Sequence, residues 1–351
     1  MLAQASHSGA MLVPGSCSDA MLVPGSCSDA MLVPGECRVD ARRLRAGAAF
    51  TRQPRATTLV LMDTTFFGPA ASLSRSDDLL CDYRAWLEAR NGPGFVAREA
   101  RMRERFDAGA ASPTLAVDAA RVNRNYVRFR ERDVTAEELA LLAFAKINAG
   151  EAWGVEQVAR ARAQERQRDA RPGLAAEIEP LVVGEEHFHT RLLVGAAGHF
   201  HGADGTRLAM TGAWRPPAPL RLLIGGLVVA PRTLFHPLLL ASEVGGVLAF
   251  DWLLGRLRTL FPKAPAIRES MEARLVEVLV DEVGHITFNR LLVGRAGRAL
   301  ARLITPRVVW LQRLMTPELV ALGLDRSVVA RLDRFSLASL PREVRARAFY
   351  A

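Results

Sequence analysis

The chain has 351 residues, half of them hydrophobic, which allows one large core or two modest ones and excludes a wholly disordered protein. Its net charge of +9 resembles that of nucleic-acid-binding proteins, but nearly all the basic residues are Arg interspersed with Glu and Asp along predicted helices. No alternation of basic and aromatic residues indicates a surface for single strands, so no nucleic-acid partner is expected. The N-terminus lacks a basic region followed by an apolar one, so no secretory signal is expected and a cytoplasmic location is predicted.

A ten-residue repeat occupies the start of the chain. Residues 11–20 and 21–30 are identical, and a partial third copy covers 31–37. Each unit contains Pro-Gly, and the copies are too few to stack as a solenoid. Residues 1–75 are therefore predicted to form a disordered or irregular tail, and residues 76–351 a helical domain.

Three helices are predicted before the main motifs. The first begins at about Asp77 and ends at Asn91-Gly92-Pro93-Gly94. The second covers 95–107 and the third about 115–130. They are expected to be additional to the bundle that follows.

A long helix is predicted from about 136 to 168. Thr135 and Glu138 form a capping-box pattern at its start. Glu151 falls inside the apolar stripe of this helix, whereas Glu156 falls on a charged side. A Glu within an apolar stripe is costly unless it is paired or binds a metal, so Glu151 is a candidate ligand.

The next helix follows Arg171-Pro172-Gly173 and carries the segment Glu185-Glu186-His187-Phe188-His189. Residues three apart share one face of a helix, so Glu186 and His189 can reach the same metal ion. An irregular stretch then extends to about residue 218, which is long enough to cross one end of a bundle.

The apolar run 219–261 is interrupted by several charged residues and by Pro231, and no stretch of about 20 residues is free of such interruptions. A buried bundle helix over about 233–260 is therefore predicted, with Glu243 as a further ligand. His236 lies seven residues earlier on the same face and could support the site. Association of this segment with a membrane interface stays the alternative.

A fourth long helix is predicted over about 266–303 and carries Asp281-Glu282-Val283-Gly284-His285. Glu282 and His285 repeat the Glu-x-x-His spacing of the earlier motif. Thr305-Pro306 is expected to end this helix, and a further helix is predicted over about 307–321.

Two Glu-x-x-His motifs, each preceded by an acid, are unusual in a chain with only seven His. Carboxylates and imidazoles facing one another suit a pair of first-row metal ions. The predicted ligands are Glu151, Glu186, His189, Glu243, Glu282 and His285. The preceding acids, Glu185 and Asp281, are expected to accept hydrogen bonds from liganding His side chains and to fix their tautomer.

The order Glu, Glu-x-x-His, Glu, Glu-x-x-His over about residues 136–300 resembles the ferritin-like di-iron carboxylate proteins. The resemblance implies an all-α protein with a ferritin-like four-helix bundle, over about 136–303, and additional N- and C-terminal helices. It also implies two iron ions as cofactor and dioxygen as co-substrate. A manganese–iron pair fits the same ligands.

Within that family the motifs are distantly similar to the oxygenases that include arylamine N-oxygenases. Two positions differ: Glu185 stands where those enzymes have Asp, and Val278 stands where they carry an added His. The resemblance implies a monooxygenase or oxidase that acts on a small or medium organic molecule and takes electrons from an external donor. No catalytic residues beyond the metal ligands and no organic cofactor are predicted, and a homodimer is compatible.

Two alternatives remain. One is a ferroxidase or iron-binding ferritin-like protein without an organic substrate. The other is a structural helical bundle whose acids form ordinary ion pairs. A radical-generating subunit is not favoured, because the three tyrosines Tyr83, Tyr126 and Tyr350 lie outside the predicted ligand helices.

Overall fold

Helices rich in Ala, Leu and Val make up most of the chain in the computed structural model, which describes residues 65–68, 76–107, 114–130, 133–168, 173–206, 208 and 216–351. The longer elements are α1 (Ser76–Asn91), α2 (Val96–Asp107), β1 (Leu115–Val117), α3 (Ala119–Val127), α4 (Ala136–Arg168), α5 (Leu174–Ala196), β2 (Phe200–Gly202), α6 (Ala218–Val228), α7 (Arg232–Leu260), α8 (Pro265–Leu292) and α9 (Arg295–Met315). Three short helices follow: α10 (Pro317–Ala321), α11 (Arg326–Val329) and α12 (Arg342–Arg347). The predicted all-α class is confirmed for these residues.

Four long helices contact one another in a closed ring. Helix α4 packs against α5, α5 against α8, α8 against α7, and α7 against α4. Apolar side chains from all four belong to one buried cluster, which includes Leu141, Leu192, Leu248 and Leu279. Burial of these side chains, at roughly 25 cal/mol per Å² of apolar area, is what holds the four helices together.

The capping box predicted for α4 is confirmed. The Thr135 amide donates to Glu138 Oε2 at 3.1 Å, and the Glu138 amide donates to Thr135 Oγ1 at 3.2 Å. Arg121 of α3 also donates to the Glu138 carboxylate. The start of α4 is therefore fixed both locally and by α3.

The predicted end of the fourth bundle helix is wrong. Helix α8 ends at Leu292, where Val293 becomes extended, and α9 then runs through Pro306 without a break. Pro306 is exposed, so water can satisfy the carbonyl that loses its helical donor. The bundle helix therefore stops about ten residues before 303, and Thr305-Pro306 lies inside the next helix instead of ending the fourth.

The predicted third helix is also shorter than expected. Residues Leu115–Val117 form β1, which pairs in parallel with β2 so that Leu115 lies opposite Phe200. Asp118 then caps α3, its side chain accepting from the Arg121 amide. This two-stranded sheet ties the entry of α4 to the exit of α5.

Helices α1 and α2 lie against the outside of α5 and α8. The chain reverses between them at Gly92 and Gly94, which have φ of 69° and 59°, in the left-handed region that favours glycine. Close packing is possible because α8 has a glycine, Gly284, where a Cβ would lie 3.2 Å from the Tyr83 ring. This contact brings α1 next to the second Glu-x-x-His motif.

The predicted tail, residues 1–75, lies outside the described residues except for Thr65–Gly68. Within that short segment Phe66 is fully buried, with its ring 5.4 Å from that of Phe335. Thr65 forms an antiparallel bridge with Ser336. These residues therefore belong to the core of the helical unit.

Helix α7 is long and apolar enough to cross a membrane by length and composition alone. Such a test is also passed by core helices of other proteins, and 44% of the apolar window of α7 is buried inside the protein. The helix packs against both α8 and α9. These contacts agree with the predicted bundle helix.

Candidate metal centre

Helices α5, α7 and α8 bring five of the six predicted ligands together. Carboxylate and imidazole atoms of Glu186, Glu243, Glu282 and His285 lie within 4.8 Å of one another. His189 joins them, because its Nδ1 atom lies 3.4 Å from Glu186 Oε2 and 3.3 Å from Glu282 Oε1. These five side chains, which the sequence placed on inward helix faces, therefore point toward one another.

Two carboxylates lie between the two imidazoles. The other oxygen of each acid faces His285, with Nδ1 lying 3.0 Å from Glu186 Oε1 and 3.5 Å from Glu282 Oε2. Glu186 and Glu282 therefore each present one oxygen to each imidazole. The sequence pairs each Glu with the His of its own motif on one ion and allows two of the carboxylates to bridge. Glu186 and Glu282 have the geometry that such bridging would need.

The inward-facing imidazole atoms fit metal ligation. Within the described part of the chain neither His189 Nδ1 nor His285 Nδ1 makes a well-formed hydrogen bond, although both are fully buried. Two ligands at right angles on one ion, each about 2.1 Å from it, lie about 3.0 Å apart. The separations of 3.0–3.5 Å between these nitrogens and the carboxylate oxygens match that spacing.

The outer nitrogens of the two imidazoles are held by the acids that precede the motifs, in a crossed arrangement. His189 Nε2 lies 3.0 Å from Asp281 Oδ2, and His285 Nε2 lies 3.1 Å from Glu185 Oε2. A proton on each Nε2 leaves the Nδ1 lone pair directed inward. The predicted role of these acids thus has the required geometry, with each acid serving the motif of the other helix.

The imidazoles are basic in the metal-free protein. Burial alone would lower the pKa of His189, but the adjacent carboxylates of Asp281, Glu186 and Glu282 outweigh it and raise that pKa well above its usual value. The pKa of His285 is likewise raised despite burial. Because a metal ion binds the deprotonated imidazole, binding at this site would compete with protons.

The carboxylates have divergent environments. Burial, together with the charges of Glu282 and Glu186, raises the pKa of Glu243 well above its usual value. Asp281 is more deeply buried, yet the guanidinium groups of Arg90 and Arg98 hold its pKa well below the usual range. Among the described residues, no Arg or Lys pairs with Glu186, Glu243 or Glu282, whereas Asp281 pairs with two arginines.

Arg90 and Arg98 were missed by sequence reasoning. Both come from the N-terminal helical segment outside the bundle, and both contact Asp281. No local signal marks them, because arginine is scattered throughout the chain. Only the packing of α1 and α2 shows that they belong to the site.

Two predicted residues have other placements. Glu151 lies within α4, but its side chain is outside the described residues, so its role as a ligand stays a prediction. His236 is buried, with Nδ1 3.1 Å from Asn289 Oδ1, one turn after His285. His236 therefore contacts a residue next to the second motif. Glu156, which was set aside, is exposed and pairs with Arg160.

Tyr83 is brought close to the site from outside the ligand helices. Its ring is fully buried and stacks 5.7 Å from that of Phe288. Burial raises the pKa of Tyr83 well above its usual value, to which the charges of Glu185 and Asp281 add. Val278, which stands where the oxygenases that the motifs resemble carry a His, is fully buried in α8.

Two surface cavities in the described part of the chain, of about 590 and 630 Å³, have no candidate ligand in their walls. The first lies between β1 and the start of α4, and the second beside α7 and α8. Neither cavity is therefore assigned to the candidate metal centre.

Comparisons with known proteins do not identify a relative. No family model, curated protein or solved structure matches the chain. The functional argument therefore depends on the residues of the site.

Proposed function

We propose that this protein is a di-iron oxygenase or oxidase of the ferritin-like carboxylate class, which activates dioxygen and acts on a small or medium organic substrate. The observation that carries the proposal is the placement of Glu186 and Glu282 between the two inward Nδ1 atoms. Ferritin-like di-iron bundles use one Glu from each of two helices and Glu-x-x-His from the other two.

The residues divide the work of holding two ions. His189 and His285 would each bind one ion, and Glu186 and Glu282 would each offer an oxygen to both. Glu243 would be a further ligand from α7, and Glu151 the corresponding ligand from α4. When bound, the iron pair would supply the electrons that reduce dioxygen, and an external donor would restore them.

Exposure indicates where dioxygen and substrate approach. Both imidazoles are fully buried, and the Glu282 side chain is 4% exposed, whereas that of Glu186 is 13% exposed. Glu243 is also partly exposed. We therefore place the open side of the centre at Glu186 and Glu243, opposite the acids that hold the Nε2 atoms.

Ion pairing alone explains this site less well than metal binding does. A structural network should direct hydrogen-bond donors at the acids, because a buried polar atom without a partner is costly. Here the Nδ1 atoms lie near carboxylates without forming good hydrogen bonds in the described structure. Three acids, Glu186, Glu243 and Glu282, also converge, and no Arg or Lys among the described residues forms an ion pair with them.

Anaerobic titration of the purified protein with Fe(II), followed by exposure to oxygen, tests the proposal. We expect about two irons per chain and an oxygen-dependent change in absorbance. Glu186→Ala should lose this iron and the absorbance change. Glu156→Ala is the matched control, because the exposed Glu156 lies outside the cluster, and it should retain both.

Other outcomes separate the alternatives. Many irons per chain would favour the ferroxidase or storage protein. Iron binding that Glu186→Ala leaves unchanged, or no iron binding at all, would favour the bundle of ordinary ion pairs. Two bound irons without any response to oxygen would contradict the proposed oxygen chemistry.

A further inference from the structure

The two acids that hold the imidazoles are joined by one guanidinium group. Arg98 donates from one terminal nitrogen to Asp281 Oδ2 at 2.5 Å and from the other to Glu185 Oε1 at 3.2 Å. Asp281 is bonded to His189 and Glu185 to His285. A continuous chain of contacts therefore runs from one imidazole to the other through Arg98.

Arg98 is fixed on its remaining sides. Its side chain is only 1% exposed, and its guanidinium group lies 4.0 Å from the centre of the Phe188 ring. It also donates to Asn91 Oδ1 at 2.7 Å, while the Asn91 amide donates to Glu185 Oε1 at 2.9 Å. A planar guanidinium held in this way can keep two carboxylates in one relative orientation.

Arg90, at the end of α1, is the second arginine that contacts Asp281. Its Nε donates to Asp281 Oδ1 at 2.5 Å, and a terminal nitrogen donates to Glu277 Oε2 at 3.0 Å. Both oxygens of Asp281 thus accept from arginines. Asp281 has little freedom to rotate away from His189.

The helical segment that supplies these arginines is fitted to the two motif helices. A Cβ at Gly184, directly before the first motif, would lie 2.5 Å from the Phe95 ring, and one at Gly284 would lie 3.1 Å from Trp86. Larger residues at either glycine would push the segment outward. The approach of Arg90 and Arg98 to Asp281 depends on this close contact.

We propose that Arg98 is a positioning residue of the metal centre, which orients both liganding imidazoles at once by bridging Asp281 and Glu185. Helices α1 and α2 are then part of the centre, although they supply no ligand. This inference rests on the proposed function, because it assigns Arg98 a role in metal binding.

Titration of the metal-free protein with Co(II) under anaerobic conditions tests the role of Arg98, with the visible d–d absorption of the bound ion as the measurement. Arg98→Met should weaken Co(II) binding by about 10-fold, the lower end of the effect of removing a direct partner of a liganding group, because Arg98 acts through Asp281 and Glu185. Arg98→Lys should also weaken it and alter the spectrum, because an ammonium group lacks the planar fork. Arg84→Met, which removes a partly exposed pair on α1, should bind Co(II) like wild type.

A purely structural role predicts a different pattern. It would lower the melting temperature of the metal-free protein, while the folded fraction bound Co(II) with unchanged affinity and spectrum; that result would overturn the inference. We expect instead that the rise in melting temperature on adding Co(II) is smaller in both Arg98 variants. Should these variants not fold, Asn91→Ala removes only two contacts around Arg98 and Glu185, and unchanged Co(II) binding in that variant would overturn the inference.

The wild-type titration separates the two proposals. Absence of Co(II) and Fe(II) binding by wild type would contradict the proposed function and the inference together. Wild-type binding of two ions, with Arg98→Met and Arg98→Lys indistinguishable from it, would contradict only the role of Arg98.

Discussion

Helices α5 and α8 carry the same acid-Glu-x-x-His pattern, but the fold gives them different surroundings. Every residue of α8 from Arg274 to Arg290 is buried, whereas α5 exposes His187 and part of Glu186. Helix α8 is contacted by α1, α5, α7 and α12, so no face of its middle section is free. Repetition of a motif therefore fixes the ligand types without making the two environments equal, and α8 is expected to tolerate change less well.

The largest expected effect is on the free energy of unfolding when a buried acid of α8 is replaced, compared with an exposed acid of α5. Glu277 of α8 is 1% exposed and is bound by Arg90, Arg105 and Arg347. Glu277→Ala removes the buried carboxylate that three arginines share and should lower the free energy of unfolding by about 3 kcal/mol. Urea denaturation of the metal-free protein measures the change.

The matched control is Glu177→Ala in α5. Glu177 also pairs with an arginine of α1, Arg84, but the two side chains are 46% and 39% exposed. Its replacement should change the unfolding free energy by less than about 0.5 kcal/mol. Equal effects of the two substitutions would contradict the contrast between α8 and α5.

A smaller loss of stability is expected when Gly284 of α8, which packs against Trp86 and Tyr83, is replaced by a larger residue. A Cβ at Gly284 would lie 3.1–3.3 Å from the rings of Trp86 and Tyr83, which are stacked 5.8 Å apart and leave little room. Gly284→Val should therefore lower the unfolding free energy by about 2 kcal/mol. Gly246→Val in α7, where a Cβ has nothing within 4 Å, should cost far less. Thermal unfolding of the two variants side by side would show whether overpacking of α8 is the cause.

The smallest effect is expected at Asp251, on the partly exposed side of α7. Burial raises the pKa of Asp251 to about 6, against a smaller opposing influence of Arg331. Because the unfolded chain has the ordinary pKa near 3.9, folding is disfavoured by ionisation of Asp251 as pH rises from about 4 through 6. Asp251→Asn should therefore stabilise the protein by about 1 kcal/mol at pH 7.5, after allowance for solvent screening, and hardly at all near pH 4.

Urea denaturation of wild type and Asp251→Asn at pH 4 and pH 7.5 measures whether the stabilisation appears only at the higher pH. A gain of equal size at pH 4 and pH 7.5 would show that ionisation of Asp251 is not its source. No effect at either pH would contradict the placement of this carboxyl in a poorly solvated position.

Much of the helical framework was predictable from local signals. The bounds of α4 and α7 follow from apolar periodicity and from Thr135 and Pro231. The end of α8 was predicted wrongly, because Pro306 lies on an exposed face where its missing N–H costs little. A proline ends a helix only where its surroundings cannot replace the lost hydrogen bond.

The site was predictable in part. Glu186, His189, Glu282 and His285 could be selected because their spacing places each pair on one helix face. The sharing of each carboxylate between both imidazoles depends on how α5 and α8 face each other. No pattern within either helix contains that information.

The sequence by itself determined the helical class and the inward faces of the motif helices, because both follow from periodicities of a few residues along one chain segment. Only the tertiary structure decided that Asp281 holds His189, that Glu185 holds His285, and that Arg98 joins the two acids. These contacts link residues more than 80 positions apart, and their geometry is set by the packing of α1 and α2 against α5 and α8.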